Sequence, residues 1–189
     1  MFINQYGPKT WNLVGCEIVG KRNFAGNEIQ YNGRTVNGAG RRNFLVKISQ
    51  EQYEQLNSLD TPWDVGQFAP NQMDPGAVPD SFMRLNISYY KEAPVVHYIS
   101  NGIDTLLDEA HLDVLDRVNI VDLDIRVSEV RKQNRMGVWK VKPFVNEMWV
   151  TVTPDVFAEK YGSLKAASAG ESVPVVTTVG GEDTDDLPF

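Results

Sequence analysis

Cysteine is nearly missing from this chain: Cys16 stands alone, and His97 and His111 are the only histidines, too few ligands for a Cys/His zinc site. No internal disulfide can form. Long apolar runs are missing as well, since nothing approaches the roughly 18 residues that suggest a membrane span. The opening residues Met1-Phe2-Ile3-Asn4-Gln5 lack the basic stretch and apolar core of a signal peptide. These absences predict a cytoplasmic protein with no membrane partner. Catalytic signatures are absent too: the chain has no Walker loop, no G-x-G-x-x-G after a strand, no G-x-S-x-G elbow and no H-E-x-x-H. Asp104, Asp108, Asp113 and Asp116 do not match the spacing of a calcium loop, and helix-start or surface roles account for them. No enzyme, metal or cofactor is expected.

Positive charge is scarce overall, with 18 Lys and Arg against 25 Asp and Glu for a net charge of −7. Phosphate binding runs on Lys and Arg, so that balance argues at first against a nucleic-acid partner. The charges are sorted, however. Residues 1–165 hold all 18 bases against 20 acids, whereas 166–189 hold five acids and no base. From Lys21 to Lys47 there are six bases and one acid; from Asp104 to Asp116 there are five acids and no Lys or Arg. Sorting of this kind permits a basic groove on an acidic protein.

Apolar residues recur at the two-residue period of strands. Val121, Leu123, Ile125 and Val127 alternate with Asp122, Asp124, Arg126 and Ser128, while Met83, Leu85, Ile87 and Tyr89 alternate with Arg84, Asn86, Ser88 and Tyr90. Further strands are predicted at Arg42 to Ile48 and at Val138 to Val152. In the latter the apolar parity switches between Val145 and Met148, which predicts a bulge or bend near Pro143. Val14, Cys16 and Ile18 share a strand face, which makes Cys16 a buried, inert thiol. Start signals predict three short helices, at Ser49 with Gln52, at Thr105 with Asp108, and at Thr153-Pro154 running to Tyr161. Asn27 to Gly40 reads as a hairpin loop, and Pro62 to Pro79 as a second irregular stretch.

Patterning stops at Gly162. Residues 163–181 are small, Gly/Ser/Thr/Ala-rich and free of aromatics, which predicts a flexible linker. The expected organisation is a mainly β domain over 1–162, an OB-like Greek-key barrel with short helices, then the linker and a disordered acidic tail ending in a tip at 182–189. A β-sandwich would fit the same elements nearly as well.

The tip, Glu182-Asp183-Thr184-Asp185-Asp186-Leu187-Pro188-Phe189, closely resembles the acidic end of bacterial single-stranded DNA-binding proteins, which finish in several Asp and then Ile-Pro-Phe. Leu187 replaces the Ile, and Thr184 interrupts the acids. The resemblance implies that Asp183, Asp185, Asp186, Leu187, Pro188 and Phe189 recruit replication and recombination proteins. Phe189 would fill an apolar pocket, its α-carboxylate would meet an Arg, and the acids would steer towards a basic rim. Lys21-Arg22-Asn23-Phe24-Ala25-Gly26, then Gly40-Arg41-Arg42-Asn43-Phe44-Leu45-Val46, and the later Val118 to Arg126 strand resemble phage single-stranded DNA-binding proteins with OB-folds.

Gripping unpaired strands needs cations along a backbone track and rings on which bases stack. Both types are interleaved here. Arg22 with Phe24, and Arg41 and Arg42 with Phe44, flank the first hairpin, whose loop carries Arg34. Arg84, Tyr90 and Lys91 share one strand's polar side or its end; Lys140, Lys142 and Phe144 share another. Arg126, Arg131, Lys132 and Arg135 line the strand and loop before it, and Trp139 follows that loop. Phe24, Phe44, Tyr89 and Trp149 lie on or beside apolar faces where core packing competes with base stacking. Trp63 and Phe68 could equally cover a barrel end. The expectation is sequence-tolerant single-stranded DNA binding in phage replication or recombination, with a homodimer compatible with the sequence. The alternative is an interaction or virion-assembly β-barrel protein that never touches DNA.

Overall fold

The computed structural model describes residues 1–69, 78–133 and 137–154. Met1–Thr153 form one compact unit. The third predicted helix beyond Pro154, the linker and the tip lie outside the described residues.

Twelve strands are present among the described residues: β1 (Phe2–Gly7), β2 (Thr10–Val14), β3 (Ile18–Asn23), β4 (Ile29–Tyr31), β5 (Arg34–Asn37), β6 (Arg42–Ile48), β7 (Val65–Gln67), β8 (Ser81–Ile87), β9 (Val95–Ser100), β10 (Ile103–Leu107), β11 (Ile120–Gln133) and β12 (Trp139–Val152). Helix α1 (Gln50–Asn57) starts where the sequence predicts. The Ser49 hydroxyl accepts from the Gln52 amide, and the Gln52 side chain accepts from the Ser49 amide, closing a capping box. The main sheet runs β1-β2-β11-β12-β8-β6-β3. Its neighbours are antiparallel except at β12, which pairs in parallel with β8 and with β9.

This path has two ends, and its ladder does not close. Yet β2 and β3, which lie near one end and at the other, are consecutive in the chain. The link between them reaches both sides: the Cys16 amide donates to the Leu123 carbonyl (2.8 Å) and the Lys47 amide donates to the Glu17 carbonyl (2.9 Å). Gly15, at φ +64°, makes the bend that a side chain would resist. The sheet therefore curls into a partly open, OB-like Greek-key barrel whose core holds Leu13, Phe44, Val46, Met83, Leu85, Leu123, Ile125, Val127 and Met148. Cys16 is buried with them, and burial pushes its thiol up to about 12, with the nearby Asp124 carboxylate adding to the shift.

Four local expectations change. Thr105 lies in strand β10 and starts no helix; Asp108 instead accepts from the backbone amide (3.0 Å) and ring Nδ1 (2.7 Å) of His111, ahead of a 3₁₀ turn at Leu112–Asp116. Its two hydrogen bonds from His111 hold the Asp108 carboxyl below the usual carboxylate range. Val121 is exposed because the β11–β12 register slips between Ile120 and Asp122, leaving it out of the core row. Val14 is exposed although Cys16 is buried, since the Gly15 bend breaks the alternation. The stretch expected to be irregular carries strand β7, paired with β8, and its Trp63, 2% exposed, bridges Val141 and meets Trp11 edge-on at 5.4 Å.

The parity switch in β12 is real, and it sits at Asn146, beyond Pro143. Arg126 faces Glu147 while the next residue, Val127, faces Val145, so Asn146 is an extra residue in the ladder. Its side-chain amide donates to Ser128 Oγ (2.6 Å). Before the bulge, Val141, Pro143 and Val145 point inward and Lys142 and Phe144 outward; after it, Met148, Val150 and Val152 take the core.

Deleting Asn146 removes that switch and forces either Lys142 and Phe144 inward or Met148 and Val150 outward. Loss of a cooperative thermal transition is expected. Asn146→Ala, which keeps the extra residue and loses one side-chain hydrogen bond, should cost only about 1 kcal/mol in chemical denaturation.

Candidate nucleic-acid interface

A groove of about 650 Å³ crosses the outer face of β6, β8 and β12. Strand parity builds its floor. On β8 the core takes Met83, Leu85 and Ile87, which turns Arg84 and Asn86 outward. Register places Asn43 of β6 opposite Asn86, and the single parallel pairing of β12 with β8 sets Phe144 beside it on the other flank. The Asn86 amide donates to the Pro143 carbonyl (3.2 Å) and ties the two strands together there. Beyond Phe144, β11 adds Lys132, whose ammonium lies 5.0 Å from the centre of the Phe144 ring.

The groove gathers Arg41, Arg42, Arg84, Lys132 and Lys142 with a single acid, Glu109, along its lining. It continues into a second trough that shares Ser88, Tyr90, Lys132 and Phe144 and adds Lys91. Tyr90 is 89% exposed, so its ring face is open to a planar ligand. One wall is the β4–β5 ribbon, through Val36 and Asn37. The ribbon turns at Asn32-Gly33, with φ of +50° and +71°, the two-residue turn that Asn-Gly favours. Cations and rings side by side on an open track are what sequence-tolerant binding of an unpaired strand requires.

Other predicted site residues fall elsewhere. Phe24 and Phe44 cannot stack on bases: both are buried, and they pack on each other with ring centres 4.9 Å apart. Arg22 is committed to structure. Its Nε donates to the Asp116 carbonyl (3.3 Å) and its Nη2 to that of Val118 (2.7 Å), while the Asp116 carboxylate accepts from the amides of Phe24 and Ala25. Arg126 sits on the far part of the sheet, paired with Glu147 (2.6 Å) and lying over the Tyr6 ring at 4.6 Å. There Trp149 points outward and stacks on His97 at 5.4 Å, so it belongs neither to the core nor to the groove.

Lys140 is the register partner of Lys132 and extends the groove's outer face along the β11–β12 hairpin. Arg131 and Trp139 have the opposite parity there, and Trp139 is 54% exposed. Arg34 is exposed on the β4–β5 ribbon, away from the groove lining. Arg135 and the tip residues Asp183, Asp185, Asp186, Leu187, Pro188 and Phe189 lie outside the described residues. Tyr31, paired with Arg34 beside the ribbon's turn, is exposed but does not line the groove. Sequence reasoning missed Glu109, and Tyr89, expected beside an apolar face, packs against the core and also lines the groove.

A family model described as a putative phage ssDNA-binding domain matches residues 10–186. No curated protein matches the chain. Similar solved structures include the single-stranded DNA-binding protein from bacteriophage Enc34 in complex with ssDNA, at 5% identity over 75% of this chain and 85% of that one, with a TM-score of 0.44. A single-stranded DNA-binding protein encoded by bacteriophage T7, gp2.5, is similar at 11% identity over 92% and 99% of the two chains, with a TM-score of 0.38. With its match running over nearly the whole sequence, the chain belongs to the phage single-stranded DNA-binding domain family.

Proposed function

We propose that the β6–β8–β12 groove is the single-stranded DNA track. Phosphates lie along Arg41, Arg84, Lys142 and Lys132, bases stack on Phe144 and Tyr90, and Lys91 receives the strand as it leaves. The observation that carries this is the convergence of five cations and three rings, from separate parts of a chain with net charge −7, on one open groove.

The protein acts in this scheme during phage DNA replication or recombination in the host cytoplasm. Residues 1–162 form the binding domain, 163–181 the tether and 182–189 the partner hook, with Phe189 as its anchor. The acids of the tip compete with DNA for the groove at low salt, and a bound strand releases them to replication or recombination proteins. The same groove leaves room for a homodimer built on other faces.

Phe144→Ala and Tyr90→Ala should each weaken oligo-dT binding by about 1–3 kcal/mol, read by fluorescence anisotropy, without changing the unfolding midpoint much. Full affinity in both variants would remove the rings from the site. Truncating 182–189 should tighten oligo-dT binding at low ionic strength and abolish retention of replication proteins on the coated strand. If neither changes, the hook has no such role.

A further inference from the structure

One end of the groove is closed by the protein itself. Arg42 begins β6 with a side chain only 15% exposed, and its Nη1 lies 2.9 Å from Glu109 Oε1, a carboxylate carried by the loop before the 3₁₀ turn. The guanidinium also lies over the ring of Tyr89, 5.5 Å from its centre. Arg42, Tyr89 and Glu109 all line the groove.

The closure leaves donors unused. Arg42 Nε and the Tyr89 hydroxyl are buried and have no hydrogen-bond partner among the described residues. Buried donors without acceptors are costly, and Glu109 engages a single nitrogen of a fork built to bind two oxygens. A phosphate presents more acceptor oxygens on a tetrahedral frame. It can take the place of the Glu109 carboxylate on the guanidinium and offer a further oxygen to the phenol hydroxyl.

We propose that Arg42 and Tyr89 form a dedicated phosphate subsite at the end of the groove, occupied in the free protein by the Glu109 carboxylate and taken over by a backbone phosphate when a strand binds. This rests on the groove being the DNA track. Glu109 is thus an internal phosphate surrogate. It neutralises the deepest cation when no strand is present and makes engagement at that end an exchange of one anion for another. Such an exchange releases a counterion from the DNA but frees a carboxylate that recruits one, so Arg42 adds little to the salt dependence of the wild type.

Three proteins test this by oligo-dT titration across salt concentrations. Glu109→Gln keeps the shape and removes the charge, so it should bind roughly five- to tenfold tighter at low salt. Its plot of log affinity against log salt should be steeper than wild type by about 0.7, the contribution of one more phosphate contact. Tyr89→Phe removes a hydroxyl with no partner in the free protein. It should keep or raise the melting temperature while binding roughly two- to fivefold more weakly. Wild-type binding with an unchanged slope and affinity in Glu109→Gln overturns the subsite and leaves the groove intact. A drop in Tyr89→Phe stability with no change in binding also overturns it, as a purely structural hydroxyl. If wild type itself fails to bind, the DNA track falls and the subsite with it.

Discussion

The extra residue in β12 decides which side chains meet solvent. A strand that kept strict alternation from Val152 backwards would turn Lys142 and Phe144 into the barrel, where a charge cannot stay unpaired. Asn146 resets the parity. Upstream of it β12 offers Lys142 and Phe144 to the groove, and downstream the same strand supplies Met148, Val150 and Val152 to the core. The β8 pairing at Asn86 then fixes where those outward residues land, next to Arg84 on a strand with its own clean alternation. The cationic surface is a by-product of core packing under a shifted register.

An acidic protein can carry such a surface because many of its described carboxylates are engaged elsewhere. In the segment from Asp104 to Asp116, Asp104 pairs with His97, Asp108 with His111 and Asp113 with Arg117, while Asp116 staples the amides after β3. Glu147 neutralises Arg126 on the far part of the sheet, and Asp80 meets Lys47. Among the described residues, Glu109 is the acid that lines the groove, and Glu92 lines the trough beside it. Net charge sums over the whole chain, and it is a poor guide to local potential.

Much of this was legible in the sequence, and what failed did so for physical reasons. Period-two patterning located β6, β8, β11 and β12, and the polar side of β8, with Arg84, Asn86 and Ser88, became the groove floor. The capping box at Ser49 gave the one α-helix among the described residues, because its signal is local. Thr105 misled since the same start signal can sit in a hairpin strand when Asn101-Gly102 turns the chain just before it. The six bases from Lys21 to Lys47 looked like one patch, yet folding scattered them: Arg22 braces the 3₁₀ turn, Lys47 pairs with Asp80, and only Arg41 and Arg42 line the groove. Proximity in sequence says little about proximity on a curled sheet. Phe24 and Phe44 show the same limit, since a ring beside an arginine in the chain can still point to the core.

The central claim, that this groove holds unpaired DNA through its backbone, is tested most directly by the salt dependence of poly-dT affinity in the double variant Arg84→Gln/Lys142→Gln beside the wild type. Removing two outward cations from the floor should make the slope shallower by about 1.4, two contacts' worth of released counterions, and weaken binding in proportion. A double variant that binds poly-dT with the wild-type affinity and slope would place the DNA on another surface.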